Sequence, residues 1–282
     1  MTGAELSDAD FAEYQALIYR LAGIHYPIEK RSLLQNRLKR RLRELKLDSY
    51  RAYLTAVQRD RSGAERQEFL NAVTTNETYF FRCRRHWEFF EEFLRERRAA
   101  TKAPRVIRIW SAAASTGAEA YSAAIACHET LGQDLGSMRI EILGTDINDK
   151  VLAEARAGRY RPYAVGQTDP AIVARWFTVD GDEYVVDRRL TQLTRFATHN
   201  LLERVSGGPF DLVFLRNVMI YFDGPSKERV LKNVFDVLQP GGHLIVGESE
   251  SLLSLTHGFT YVKPSVFRKP TAAPTARPVR TP

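Results

Sequence analysis

The chain of 282 residues contains little cysteine: its two cysteines are Cys83 and Cys127. Neither belongs to a CxxC pair, so a disulfide framework and a structural zinc site are excluded, and no metal site is expected. No run approaches the roughly 18 apolar residues that a membrane-spanning helix needs, and the polar, acidic first residues are unlike a signal peptide. We therefore expect a cytoplasmic protein without membrane insertion.

The overall composition is typical of a globular protein, with 44% hydrophobic, 27% charged and 11% aromatic residues. Domains usually contain ~100–200 residues, so the length favours two domains or one large domain with an appendage. The formal net charge is +7. Residues 29–46 alone hold eight Lys or Arg and two Glu, which leaves an excess of six positive charges.

This basic segment predicts an amphipathic helix at about 32–45. Leucines recur in it at spacings of three and four, which predicts an apolar stripe facing a core: Leu34, Leu38, Leu42 and Leu45. Four arginines should then face outward as candidate substrate-binding residues: Arg37, Arg40, Arg41 and Arg43. They form either a solvated face or a site for an acidic partner, which could be nucleic acid or protein. The absence of interleaved aromatic residues for base stacking favours protein.

The hydrophobic pattern changes near residue 105. Residues 1–85 predict an all-helical N-terminal domain, with helices at about 11–21, 32–45, 49–57 and 65–73, and 86–104 predict a linker helix. From 105 to 269, short apolar runs alternate with helical segments, which is typical of βαβ units and a parallel sheet. Strands are expected at 106–110, 140–144, 210–215 and 243–247. Short strands at 184–186 and 193–197 predict a small β insertion at about 158–198, and residues 270–282, rich in Pro and Ala, predict a disordered tail.

The first predicted strand ends in a turn of small residues, within VIRIWSAAASTGAEAYS, and Gly117 then opens a helix. Small residues let the backbone approach a ligand, as in nucleotide-binding βα turns. The turn is not a strict GxGxxG, and its single glycine argues against a bound pyrophosphate. Asp146 ends the next strand, where it could bind a ribose diol or instead cap a helix. Glu119 suits the amino-acid part of a ligand, although acids are common in a first helical turn.

Two later segments complete this pattern. Arg216 and Asn217 interrupt FDLVFLRNVMIYF where a strand should end, and a Pro-Gly-Gly turn precedes a further strand in LQPGGHLIVGESESL. Such features are typical of methyltransferases that use S-adenosylmethionine. We therefore predict an α/β fold: a doubly wound, Rossmann-like methyltransferase domain with a small antiparallel β insertion, preceded by an all-helical N-terminal domain.

Several segments occur in order behind the basic helical domain: TTNETYFFR, WSAAASTGAEAYS, GTDIN, HNLL, FLRNVMIYFD and LQPGGHLIVGESESL. Over about residues 8–268 the chain resembles the CheR-type chemotaxis receptor methyltransferases. The resemblance implies methyl transfer from S-adenosyl-L-methionine to glutamates on the cytoplasmic helices of chemoreceptors, giving γ-methyl esters for adaptation and S-adenosyl-L-homocysteine as product. It also implies that the basic helix meets an acidic receptor bundle rather than nucleic acid.

The resemblance assigns site residues by position. The implied cofactor contacts are Asn76, Thr78, Arg82, Glu119, Asp146, Asn200, Leu201, Leu215 and Arg216. The catalytic candidates are Tyr221, which matches a tyrosine beside the transferred methyl, and Arg82, whose planar guanidinium could hold the substrate carboxylate. From the residues alone, 74–77 would be a capping box that opens a helix, Arg82 a surface charge and Tyr221 a core aromatic.

The chain departs from the family pattern where STGEEPYS is STGAEAYS, so that Ala118 and Ala120 replace a glutamate and a proline, and where GHSESL is GESESL. Two other functions stay open. A nucleic-acid methyltransferase would need an Asn-Pro-Pro-Tyr or Asp-Pro-Pro-Tyr segment or a Pro-Cys nucleophile, which the sequence lacks. A non-catalytic sensor or docking module would not need Arg82 and Tyr221.

A receptor C-terminal peptide could tether the enzyme by adding a strand to the edge of the β insertion. The predicted hairpin 177–186 in this insertion has a turn that is too tight for such binding, so this tethering is not expected.

Overall fold

The computed structural model describes residues 5–100 and 106–271. The predicted tail at 270–282 lies outside these ranges except for its first two residues, and so does the end of the predicted linker helix at 101–104. In the described part of the chain, no helix is both long and apolar enough to cross a membrane.

The N-terminal region is helical, as predicted. Its helices are α1 (Asp8–Ala22), α2 (Arg31–Glu44), α3 (Tyr50–Arg59), α4 (Ala64–Val73) and α5 (Arg84–Ala99), with a 3-10 turn at Ile28–Lys30. Serine side chains begin two of them: Ser7 accepts a hydrogen bond from the backbone N–H of Asp10, and Ser49 accepts one from that of Ala52. The first four helices bury one apolar cluster that includes Phe11, Tyr14 and Phe69.

The buried and exposed faces of the basic helix α2 differ in part from the prediction. Leu34, Leu38 and Leu42 are buried, but Leu45 lies beyond the end of the helix and is 39% exposed. Arg41 does not face outward, because its guanidinium is half-buried and paired with Glu65 of α4. The predicted outward face is therefore wrong for Arg41, since the spacing of the leucines does not show that an acidic side chain of another helix covers this position.

A seven-stranded sheet forms the centre of the second region, in the order β6-β2-β1-β7-β8-β10-β9. Its strands are β1 (Val106–Ala112), β2 (Arg139–Asp146), β6 (Thr194–Thr198), β7 (Phe210–Leu215), β8 (Leu238–Val246), β9 (Thr260–Lys263) and β10 (Val266–Arg268). The first five strands in this order run parallel, and β10 is antiparallel to both of its neighbours, β8 and β9. The two faces of the sheet pack into separate apolar clusters, which confirms the doubly wound fold.

The helices of this region follow the strands. They are α6 (Ala118–Leu131), α7 (Asp149–Ala157), α8 (Pro162–Val165), α9 (Pro170–Trp176), α10 (Arg188–Leu193) and α11 (Gly224–Val237). Gly117 precedes α6 with a φ of +85°, and a Cβ there would lie 2.8 Å from that of Ala155. Both observations explain why glycine opens this helix.

The β insertion is a three-stranded antiparallel sheet in the order β3-β5-β4, formed by β3 (Arg159–Tyr160), β4 (Phe177–Asp180) and β5 (Glu183–Val186). The hairpin between β4 and β5 turns through two residues, Gly181 and Asp182. Strand β6, which we expected inside the insertion, instead pairs in parallel with β2 at the edge of the main sheet. Its mixed polar pattern is that of an edge strand, and a pattern alone does not identify the pairing partner.

Truncation of the leucine stripe should show which positions belong to the core. Leu38 is fully buried, so Leu38→Ala should lower the free energy of unfolding by about 2–5 kcal/mol. Leu45→Ala, in the same segment, should cost less than about 1 kcal/mol because its side chain is already exposed. Urea denaturation followed by circular dichroism measures both, and equal losses would contradict this description of α2.

Candidate active site

A cavity of about 290 Å³ lies at the carboxyl ends of the parallel strands, between the sheet and the N-terminal helices. Open α/β sheets bind their ligands outside these ends. The cavity brings together ten of the side chains proposed from the sequence: Arg37, Asn76, Thr78, Arg82, Glu119, Asp146, Asn200, Leu201, Arg216 and Tyr221.

Asp146 ends β2 and is buried. One carboxylate oxygen accepts a hydrogen bond from the backbone N–H of Ser115 at 2.9 Å, and the other accepts one from that of Asn148 at 2.9 Å. Burial raises the pKa of Asp146, and the backbone donors oppose this shift. The cap of α7 is Asn148, which accepts from the N–H groups of Lys150 and Val151, so the interpretation of Asp146 as a helix cap is wrong.

Glu119 and Arg216 form a buried ion pair at the floor of the cavity. Their charged atoms lie 2.8 Å apart, and the two side chains are 12% and 2% exposed. Glu119 also accepts a hydrogen bond from the hydroxyl of Ser111 at 2.7 Å, and Arg216 donates to the backbone carbonyl of Arg82. The pair therefore joins the first turn of α6, the end of β7 and the segment before α5.

The segment between α4 and α5 is not helical. Thr74 is the C-cap of α4 in extended conformation, and α5 begins ten residues later at Arg84. The capping-box interpretation of 74–77 is therefore wrong. Asn76 and Thr78 line the cavity instead, and the carbonyl of Asn76 accepts a hydrogen bond from the hydroxyl of Ser115 at 2.7 Å.

Arg82 is half-buried in the cavity wall and is not a simple surface charge. Its guanidinium carbon lies 5.5 Å from the ring centroid of Tyr79. The flanking residues Phe81 and Cys83 have φ angles of +54° and +63°, which are unusual for residues other than glycine. Backbone strain of this kind is common at functional sites, where surrounding contacts hold it.

Tyr221 lies on a 3-10 turn after β7 and is half-buried against the cavity, so it is not a core aromatic. Its carbonyl accepts a hydrogen bond from the N–H of His25 at 2.8 Å, and Ile24 forms a β-bridge with Phe222. These contacts fix the N-terminal region against the turn that carries Tyr221. Lys30 lies with its Nζ atom 5.6 Å from the Tyr221 ring centroid.

Sequence reasoning missed Lys30 and His25, which also line the cavity. The only signal for Lys30 was its place at the start of the basic segment.

Asn200 and Leu201 follow β6 and lie at the same cavity. The side-chain amide of Asn200 donates to the carbonyl of Leu21 at 2.8 Å, and its oxygen accepts from the N–H of Leu202 at 3.1 Å. Leu215 is different, because it is fully buried in β7 and does not line the cavity. The side chain of Leu215 therefore packs in the apolar cluster behind the cavity.

The four candidate arginines of α2 separate into distinct environments. Arg37 faces the cavity, where it donates to the hydroxyl of Thr75 at 2.9 Å, so its predicted outward orientation is also wrong. Arg40 is 77% exposed and pairs with Glu44. Arg43 is exposed, whereas Arg41 is held by Glu65. Arg37 is thus the one of these four that the structure places at the cavity.

The residues of the cavity fit S-adenosylmethionine. The buried carboxylate of Asp146 at the end of the second strand suits a ribose diol. Arg216 and Glu119 offer opposite charges to an amino-acid group, and Nε of Arg216 is a buried donor with no partner among the described residues. Ala118 and Ala120, the two departures from the family pattern, are fully buried in the core beneath the turn and take no part in lining the cavity.

Comparison with known proteins identifies the class as methyltransferases that bind S-adenosylmethionine. Residues 76–267 match the family "CheR methyltransferase, SAM binding domain", and residues 9–74 match "CheR methyltransferase, all-alpha domain". The chain therefore belongs to the CheR methyltransferases, as the resemblance indicated, and S-adenosylmethionine is its cofactor.

Curated relatives cover nearly the whole chain. The chain is 40% identical over 268 residues to the chemotaxis protein methyltransferase of Salmonella typhimurium, which covers 93% of this chain and 90% of the relative. It is 38% identical over 268 residues to that of Escherichia coli, covering 93% and 91%. It is 39% identical over 267 residues to chemotaxis protein methyltransferase 2 of Pseudomonas aeruginosa, covering 92% of each chain.

Removal of one partner of the buried ion pair should destabilise the protein strongly. Arg216→Met leaves the Glu119 carboxylate without its cation, which should lower the free energy of unfolding by about 3–5 kcal/mol. Arg159→Met breaks the partly exposed pairs with Asp180 and Glu183 and should cost at most about 1 kcal/mol. Urea denaturation without cofactor measures both changes, and a small loss in Arg216→Met would show that the pair is not a structural link.

Proposed function

We propose that this protein transfers the methyl group of S-adenosylmethionine to glutamate carboxylates on the cytoplasmic helices of chemoreceptors, forming γ-methyl esters in the cytoplasm. In this proposal residues 1–85 recognise the receptor, 86–104 form the linker and 105–269 perform the transfer. The observation that supports it most strongly is the group of cations at the cavity. Lys30, Arg37 and Arg82 line it together with Tyr221, and among the described lining residues they outnumber Glu77, the one acid not assigned to the cofactor. An anionic side chain is the acceptor that such a wall attracts.

The acceptor needs no general base. Glutamate has an ordinary pKa of ~4.3, so its carboxylate is ionised at neutral pH and is already a nucleophile. The bound cofactor supplies an electrophilic methyl group on a sulfonium. The protein therefore contributes mainly alignment, and well-oriented groups can lower a barrier by ~7–11 kcal/mol.

Arg82 is the candidate that holds the substrate carboxylate. Among the described residues it forms no ion pair, and its guanidinium lies against the Tyr79 ring at the cavity wall. A guanidinium presents a planar fork to two carboxylate oxygens, which fixes their orientation. Tyr221, on the 3-10 turn after β7, lines the same cavity and is the candidate that orients the carboxylate or the methyl group through its hydroxyl.

The exposed part of the basic helix suits the first encounter with the receptor. Lys39, Arg40 and Arg43 are exposed on α2, outside the cavity that Arg37 faces. Complementary charge speeds association with an acidic helix bundle and fixes its orientation, and the effect weakens at high salt. Arg41 contributes less to this surface, because its side chain is only 16% exposed and is paired with Glu65.

The three-stranded sheet of the insertion supports the proposal that the enzyme recognises the receptor without binding its C-terminal peptide. Its hairpin closes through the two residues Gly181 and Asp182, and no longer loop joins β4 to β5 to clamp a peptide. We therefore propose that the receptor's C-terminal peptide is not bound there.

Labelling of receptors tests the proposed function directly. With radiolabelled S-adenosylmethionine and membranes that contain chemoreceptors, label should enter receptor protein and be released as methanol by mild alkali, because methyl esters hydrolyse and N-methyl groups do not. Arg82→Ala should lose most of this turnover, and full turnover would contradict its positioning role. Label in nucleic acid, or alkali-stable label, would overturn the function, and cofactor binding without label would favour a sensor.

Asp146 should contribute to cofactor affinity. Asp146→Asn removes the charge that would accept the ribose hydroxyls, and hydrogen bonds to charged groups contribute about 1.5–3 kcal/mol. We expect affinity for S-adenosylhomocysteine to fall by about 10–100-fold in isothermal titration calorimetry. Asp134→Asn is the control, since this aspartate pairs with Arg98 away from the cavity. Unchanged affinity in Asp146→Asn would rule out the ribose role.

A further inference from the structure

Glu250 is a buried acid that neither the family resemblance nor the cofactor site accounts for. It follows β8 and is 8% exposed. Its carboxylate accepts three backbone hydrogen bonds: one oxygen from the N–H groups of Asn217 at 2.9 Å and Gly247 at 2.7 Å, the other from that of Met219 at 2.8 Å. Among the described residues it forms no ion pair, so backbone donors alone satisfy its charge.

Two of these donors belong to the irregular turn between Arg216 and Tyr221. The strand β7 ends at Leu215, and Asn217 has a φ of +60°, so the N–H groups of this turn have left the strand ladder. A buried donor without a partner is costly, and one carboxylate here satisfies both. Glu250 thereby ties the turn after β7 to the end of the neighbouring strand β8.

Gly247 leaves the space for this contact. A Cβ at this position would lie 2.6 Å from the Oε2 atom of Glu250 and 3.0 Å from the backbone nitrogen of Asn217. Contacts that short force something to move, and here the neighbours are a buried carboxylate and a backbone amide. The glycine and the glutamate therefore form one cradle for the turn.

We propose that Glu250 is a positioning residue for methyl transfer, which holds the turn 217–219 so that Tyr221 faces the cavity. This inference rests on the proposed function and on the role proposed there for Tyr221. Arg216 at the other end of the turn has its own anchors, Glu119 and the carbonyl of Arg82. Loss of the Glu250 carboxylate should therefore disturb Tyr221 and leave the cofactor residues in place.

Glu250→Gln tests the contact with little change in shape. In either orientation, the NH₂ group of the glutamine faces at least one backbone N–H. Because an NH₂ group is only a donor, that backbone N–H loses its acceptor. We expect kcat for receptor methylation to fall about 10–100-fold, with the affinity for S-adenosylhomocysteine changed less than about threefold. The matched control is Glu228→Gln, a glutamate on α11 that also accepts a backbone N–H, from Thr256 at 2.8 Å, outside the cavity. It should keep wild-type kcat.

A double-mutant cycle with Tyr221→Phe distinguishes a role in positioning Tyr221 from a general role in stabilising the fold. If Glu250 acts through Tyr221, Glu250→Gln should have much less effect on kcat in the Tyr221→Phe background than in the wild type. Equal effects in both backgrounds, or a loss of cofactor affinity as large as the loss of kcat, would overturn the proposal.

A second variant covers the case in which Glu250→Gln does not fold. Gly247→Ala retains the carboxylate and displaces it, and should give the same selective loss of kcat and the same dependence on Tyr221. Wild-type kcat in a folded Gly247→Ala variant would contradict the proposal that the close packing of Gly247 against the Glu250 carboxylate holds the turn. Failure of the proposed function would instead be visible in the wild-type protein, as absence of alkali-labile label on receptors.

Discussion

The ion pair between Glu119 and Arg216 is the contact on which the arrangement of the site depends. It lies at the junction of three segments that are far apart in the sequence: the first turn of α6, the end of β7 and the segment before α5. Both side chains are largely removed from water, so each charge is tolerated only because the other is present. Disruption of the pair would release the floor of the cofactor cavity and the backbone of Arg82 together.

Contacts between the N-terminal region and the methyltransferase sheet set the second side of the cavity. The bridge between Ile24 and Phe222, the bond from His25 to the carbonyl of Tyr221, and the bond from Asn200 to Leu21 fix the two regions against each other. As a result, Lys30 of the helical region lies beside Tyr221 of the sheet region. The proposed methyl transfer, which needs alignment rather than proton transfer, would gain from positions fixed in this way.

Strained backbone is concentrated around this junction. Phe81, Cys83, Ala113, Ser115 and Asn217 all have positive φ without being glycine. Each lies in a turn at the carboxyl ends of the strands or in the segment that crosses them, where Asp146, Arg216 and Glu250 supply hydrogen bonds to the backbone. Such conformations persist only where surrounding contacts determine them, which is consistent with a preorganised site.

The sequence by itself determined the helices of the N-terminal region, the main parallel strands and the strand-end positions of Asp146 and Arg216, because periodicity and turn residues act locally. The tertiary structure alone decided that β6 joins the main sheet, that Glu65 covers Arg41, that Leu45 is exposed, and that Lys30 and Glu250 stand at the turn of Tyr221. Each of these depends on a partner distant in the chain. A local pattern shows which face of an element is apolar, but it carries no information about which distant charge, strand or backbone amide meets that face.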